Sequence, residues 1–145
     1  MKKTLVFILL FVVFCIAKTM AQYPYALAVS QNGILLGKFK VTPDTRNAVP
    51  DTISADIAKS IFAINSFHID KDGSPKRLTI TEFQMTVKDG GEKNSLISKS
   101  EFLNGEQKNM LENMKSGSLL YFEGIRGQAS DGSGFLCTLL EFYIE

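Results

Sequence analysis

The chain has 145 residues, of which 45% are hydrophobic and 21% charged, and its formal net charge is +1. That length accommodates one ordinary domain, and that apolar content supports a packed core, which excludes an extended disordered chain. A near-neutral charge, with lysines and arginines scattered along the chain, gives no basis for nucleic acid or an acidic membrane surface as partner.

Met1-Lys2-Lys3 is a basic start, followed by an apolar stretch from Thr4 to Ala17. The stretch has the length of a secretory signal core and falls short of the roughly 20 residues that a membrane span needs. Thr19-Met20-Ala21 before Gln22 has the small-x-small form of a cleavage site. Residues 1–21 therefore read as a signal peptide and 22–145 as a single secreted or periplasmic domain, with no membrane span left after cleavage. An uncleaved anchor is the competing reading. A lipoprotein would use Cys15, but Phe14 stands where a small residue is required. Loss of Lys2, Lys3 and Lys18 with the signal takes the net charge to −2. Cys15 leaves too, so Cys137 is the lone cysteine of the mature chain. Without an internal disulfide, stability must come from the core. Cys137 then either pairs with another chain or sits as a small buried hydrophobe.

Ala26–Ser30 and Ile34–Val41 are β-prone runs separated by Gln31-Asn32-Gly33, and Asn-Gly between apolar runs signals a hairpin. Leu36, Gly37 and Lys38 interrupt the alternation of the second run, which marks an edge or a bulge. From Thr42 to Thr52 the prolines and Asp44, Asn47 and Asp51 predict a loop. Between Ser54 and Ile61 helix and strand signals conflict, and a strand is expected from about Phe62 to Ile69. Asp70-Lys71-Asp72-Gly73-Ser74 predicts a turn. Along the next strand, Leu78 to Val87, the apolar parity switches from Leu78 and Ile80 to Phe83, Met85 and Val87. A switch near Thr81 and Glu82 predicts a bulge or a bend between sheets. Asp89-Gly90-Gly91-Glu92 closes that strand, and Ser95–Phe102 reads as a further short strand or irregular segment.

Asn104 to Met114 is the one expected helix. Asn104 serves as N-cap, Gln107 sits at the capping-box position, Gly117 follows as a left-handed stop, and Leu103, Met110, Leu111 and Met114 share one face. Gly117–Ile125 and Phe135–Glu145 then predict a terminal hairpin around a glycine-rich loop containing Asp131-Gly132. Phe122 and Ile125 are three apart, which makes Gly124 a candidate bulge. Leu136, Thr138, Leu140, Phe142 and Ile144 form the expected core side, with Phe135, Cys137, Leu139, Glu141 and Tyr143 on a mixed second face. Several short strands with turns between them predict a mainly β fold, a β-sandwich with one short helix before the C-terminal hairpin.

The order Phe67-His68-Ile69, Asp72-Gly73, the helix Gln107 to Met114, Lys115-Ser116-Gly117-Ser118-Leu119-Leu120-Tyr121-Phe122-Glu123-Gly124-Ile125, Asp131-Gly132 and Leu139-Leu140-Glu141-Phe142-Tyr143-Ile144 resembles the C-terminal domain of the gliding-motility protein GldM. The resemblance covers roughly Ala63 to Glu145 and rests on apolar pattern and turns, without reactive residues. It implies an immunoglobulin-like sandwich in the periplasm of a Gram-negative bacterium. By the same resemblance, the partners would be other envelope proteins, among them subunits of the type IX secretion and gliding machinery. The family's membrane helix and preceding domains have no counterpart here, so motor coupling is not carried over. Its Gly-Pro-Asp-Gly-like turn stands here as Ala129-Ser130-Asp131-Gly132.

Chemistry-bearing motifs are sparse. His68 is the single histidine, flanked by Phe67 and Ile69 on a predicted strand, and a metal site or general base needs partners that the sequence does not place beside it. Asp70-Lys71-Asp72-Gly73 has a faint calcium-loop form, but the twelfth position from Asp70 is Thr81 and Pro75 and Lys76 interrupt the loop, so the template fails. Cys137 with His68 is the nucleophile–base pair to test. There is no P-loop and no dinucleotide fingerprint, and neither a cofactor nor a metal is expected. What remains is a contact surface. Tyr121, Phe135, Leu139 and Tyr143 are the expected residues of an exposed face on the terminal hairpin, unless the helix or the N-terminal hairpin covers it. The sequence thus points to a protein-binding or structural accessory module of the cell envelope without catalysis. The alternative is a small periplasmic hydrolase or inhibitor-like domain with its site in the loops. Oligomeric state is left open.

Overall fold

The computed structural model describes residues 24–37, 51–137 and 139–145. The signal segment and its cleavage site, most of the loop expected from Thr42 to Thr52, the second half of the Ile34–Val41 strand and Thr138 lie outside the described residues. Of the described residues, 56% are strand and 12% helix, so the mainly β class holds. No helix among them is long and apolar enough to cross a membrane.

Nine strands are described: β1 (Tyr25–Ser30), β2 (Leu35–Leu36), β3 (Asp51–Ile53), β4 (Ile61–Ile69), β5 (Pro75–Asp89), β6 (Glu92–Ser98), β7 (Leu119–Gln128), β8 (Gly134–Leu136) and β9 (Leu140–Ile144). Two helices accompany them, α1 (Ala55–Lys59) and α2 (Gly105–Glu112). All nine strands hydrogen-bond into one sheet of order β2-β1-β4-β5-β7-β9-β3, with β6 added to β5 and β8 to β7. The β3–β9 pair is parallel and the rest are antiparallel. Where two separate sheets were expected, a single sheet curls around the core.

The curl is built into β5. This strand of 15 residues pairs with β4 through Pro75–Leu78 and with β7 through Thr79–Lys88. Ile80 faces Gly127 and Glu82 faces Arg126, so Thr81 is an extra residue in β5; Gln84 then faces Glu123, so the extra residue lies in β7, at Gly124. Gly124 has φ +59, which an L side chain rarely adopts. Both bulges fall where the parity breaks predict them. One in each strand, they twist the pair sharply and restore the register beyond. Leu78 and Ile80 are thereby buried on the same side as Phe83, Met85 and Val87. The interior they line holds Phe122 edge-on to Phe83 (5.9 Å, 63°) and to Phe142 (6.4 Å, 77°), contacts of about 0.5–1.5 kcal/mol each beyond area burial. At the far end of the curl, a Cβ on Gly37 would lie 2.9 Å from Leu140 Cδ2, so the end of the β1–β2 hairpin closes against β9.

The segment with conflicting signals between Ser54 and Ile61 folds as α1. Ser54 Oγ accepts from Ile57 N at 3.3 Å, and Ala58 is fully buried. The described residues therefore hold two helices where one was expected, because five residues are too few to display a helical period. In α2 the capping box forms as expected: Gln107 N donates to Asn104 Oδ1 (2.9 Å) and Asn104 N to Gln107 Oε1 (3.0 Å). Leu103, Leu111 and Met114 are buried, with Met110 packed against them. Gly117, by contrast, is no helix stop. The helix ends at Glu112 with Asn113 as its C-cap, and Gly117 (φ +90) instead donates its N–H to Ile144 O at 2.7 Å, starting the approach of β7 to β9.

β8 and β9 follow one another along the edge of β7 opposite β5. The interruption at residues 137–139 corrects the expected core side. Leu140, Phe142 and Ile144 are buried as expected, but Leu136 is 67% exposed and Cys137 is buried in its stead. Leu136 pairs with exposed Arg126, and Cys137 N donates to Ile125 O (2.7 Å), so parity switches between Cys137 and Leu140.

Candidate functional site

On the side of the sheet away from the core, β6, β5, β7 and β9 present alternate side chains in rows. One row runs Ser95, Thr86, Tyr121, Glu141, and the next Lys93, Lys88, Leu119, Tyr143. Of the expected contact residues, Tyr121 lies half-buried in the first row and Tyr143 is 42% exposed in the second. Leu139, 39% exposed, flanks β9. Ile97 of β6, 52% exposed, extends the face opposite Gln84.

A fixed polar network underlies this face. Thr86 Oγ1 donates to Glu123 Oε1 (2.9 Å), and Gln84 Nε2 donates to the same oxygen (2.8 Å). With its one proton so used, Thr86 accepts from Ser95 Oγ at 2.8 Å. Thr86 is fully buried despite pointing outward, so its hydroxyl requires these partners. Burial, and after it the neighbouring Glu141 carboxylate, push the Tyr121 phenol above its ordinary value. The result is a preorganised surface with aromatic and aliphatic side chains standing on it.

Phe135 does not belong to this face. It pairs with Gly127, where an added Cβ would meet Leu78 at 3.1 Å, so Phe135 points to the core side. There its ring stacks on His68, with centroids 5.5 Å apart and planes 9° from parallel. Nδ1 of His68 is buried without a hydrogen-bond partner among the described residues. Cys137 lies nearby, but its partner is Ser66, at 2.8 Å. Ser66 Oγ donates to Tyr25 O (3.1 Å), which leaves the thiol as donor to Ser66. Burial pushes the Cys137 thiol up, against a smaller opposing effect of Ser66, the reverse of what activates a nucleophile. The expected Cys137–His68 pair is thus brought to one region of the core without being joined. A shallow cleft of about 460 Å³ opens beside it, between Thr81, Arg126, Gln128 and Phe135.

The Asp70–Ser74 loop is a turn, as expected. Asp72 Oδ1 accepts from Ser74 N (2.8 Å) and Ser74 Oγ (2.6 Å), and these bonds hold its carboxyl below the usual range. Asp131 and Ser133 repeat the arrangement in the β7–β8 turn, with the same effect on Asp131. Sequence reading did not single out this repeated Asp-Gly-Ser, although the tripeptide stands twice in the chain. It also missed Lys88, Lys93 and Leu119, whose signal is their shared parity with Thr86, Ser95 and Tyr121. No protein-family model matches the chain, and no curated protein matches it in sequence.

Proposed function

We propose that the mature chain is a protein-binding or structural accessory module of the cell envelope, contacting its partner through the outer face of β7 and β9. One observation carries this reading: Tyr143 of β9 and Leu139 just before it stand exposed beside Tyr121 of β7, on strands whose other side is core. Large aromatic and aliphatic side chains on a rigid, hydrogen-bonded platform lose little entropy on binding, which suits them as contact anchors. The signal-like N-terminus supports a location outside the cytoplasm. The resemblance to the C-terminal domain of GldM, with its immunoglobulin-like sandwich, extends the proposal to type IX secretion and gliding subunits as partners. The geometry does not join the Cys137–His68 pair that the hydrolase alternative would use: Cys137 hydrogen-bonds Ser66, and the His68 ring stacks on Phe135.

The test is capture from an envelope extract with the chain from Gln22 onward as bait. A Leu139→Ser, Tyr143→Ser double variant, shown by circular dichroism to keep its fold, should lose most of the captured partner. Recovery of type IX subunits by the wild type supports the family reading. Undiminished capture by the double variant would remove the face from the proposal.

A further inference from the structure

The outer face carries an electrostatic feature that its own fold does not resolve. Lys88 and Lys93 stand directly opposite one another across β5 and β6, two residues from the tight Gly90-Gly91 turn. Like charges in that position destabilise a strand pair. Lys88 is exposed and makes no ion pair among the described residues. Lys93 reaches Glu123 Oε1 only at 4.0 Å, and that oxygen already accepts from Gln84 and Thr86. The nearby Asp89 carboxylate is turned to Lys115, also at 4.0 Å. Glu92, opposite Asp89, alternates to the other side of β6 from Lys93. One corner of the face is therefore positive.

That corner adjoins the apolar part of the same row: Lys88 faces Leu119, and Leu119 faces Tyr143. Cations and apolar anchors are thus one to three strand spacings apart, roughly 5–15 Å. Resting on the contact-face reading above, we propose that the occupant of this face is an acidic segment of a partner protein. A carboxylate of that segment lies across Lys88 and Lys93, and a neighbouring tyrosine or leucine lies on Leu119 and Tyr143. The carboxylate neutralises Lys88, which makes no ion pair among the described residues, and shares Lys93 with Glu123, while the apolar side chain buries surface that Tyr143 exposes. Charge complementarity sets the sign of the partner, and the row sets the spacing.

The probe is a glutamate–tyrosine copolymer added to the ¹⁵N-labelled mature chain at low salt, with lysine–tyrosine copolymer and polyglutamate as controls. The expected result is movement of the amides of Lys88, Lys93, Leu119 and Tyr143 with the glutamate–tyrosine polymer, weaker movement with polyglutamate, and none with the lysine polymer. A Lys88→Glu, Lys93→Glu variant should weaken that binding about tenfold or more, and added salt should weaken it in the wild type. Equal response to the lysine polymer, equal response to polyglutamate, shifts mapping elsewhere, or indifference to the charge reversal would each overturn the proposal. The two readings fail separately. Envelope capture lost in the Leu139/Tyr143 variant but kept in the Lys88/Lys93 variant removes the acidic partner and leaves the contact face. Capture kept in both removes the face as well.

Discussion

Gly124 and Gly127 lie three residues apart in β7 and are required for different reasons. At Gly124 the backbone is left-handed (φ +59) and a Cβ would meet nothing within 4 Å, so the cost of a side chain is purely conformational. At Gly127 the conformation is ordinary, but a Cβ would sit 3.1 Å from Leu78 Cβ, an atom that cannot move without its backbone. Gly124→Ala should cost about 1 kcal/mol, and Gly127→Ala about 1–3 kcal/mol through overpacking. Urea unfolding of the two variants checks both values. In Gly127→Ala the Phe135–His68 stack should also shift, read from the His68 ring resonances. Cys137 offers a test in pH. Its thiol is pushed above 9.0 by burial, so the folded protein holds the proton more tightly than the unfolded chain does. The associated stability is complete below that unfolded value and is lost as pH rises toward the folded one. Urea midpoints of wild type and Cys137→Ala, compared at about pH 8 and about pH 10, should show the wild type losing more. Tyr121 titrates in both and cancels. Ser66 keeps Tyr25 O as acceptor in the variant, so no buried hydroxyl is orphaned.

Among the elements, α2 shows how local chemistry closes a sheet. Gln107 is fully buried, and its side chain serves two carbonyl–amide needs: Oε1 accepts from Asn104 N, and Nε2 donates to Leu96 O in β6 at 3.1 Å. Asn104 adds a bond to Ile97 O at 3.2 Å. The capping box therefore also ties the helix to strand β6. Asn104→Ala should cost about 1 kcal/mol. Gln107→Ala, which strands buried polar groups, should cost about 2–3 kcal/mol. The double variant should fall short of their sum, because each residue holds the other; chemical denaturation of all three measures this. The box was legible because Asn-x-x-Gln before an apolar periodicity is a local pattern. So were the bulges: Phe83 cannot share a face with Ile80, nor Ile125 with Phe122, unless a residue is inserted. The parallel strand β3 was not legible, since Asp51–Ile53 gains its identity from Phe142–Ile144, far along the chain. Leu136 was misassigned because apolar alternation continues through a parity switch that only pairing with Arg126 reveals. Of the outer face proposed for contact, Tyr121, Leu139 and Tyr143 could be singled out from the sequence but Lys88 and Lys93 could not, because their place is set by cross-strand register.

At the scale of the molecule, the curl of one sheet replaces the facing of two, and long β5 carries the continuity between them. Charged side chains follow the bend: Glu82, at the bulge, is engaged by Lys99 and by Arg126 (3.9 Å), and its carboxyl is held below the usual range, chiefly by the hydrogen bond from Lys99. The last edge of the sheet is the parallel strand β3. Ile53 O accepts from Glu145 N (3.1 Å), and Glu145 O accepts from Ala55 N (3.3 Å), so the entry to α1 hangs on Glu145. The paired positions Asp51 and Phe142 are about ninety residues apart in the chain, a loop whose closure is entropically unfavourable until the intervening hairpins have formed. Folding order follows. The β4–β5 and β5–β6 hairpins can close at once, whereas β3 and α1 must wait for β9 to dock on β7. Pulse-labelled hydrogen exchange should show the amides of Gln84–Val87 protected first and those of Thr52–Ala55 last. Until that final step, β9 presents an unpaired strand edge.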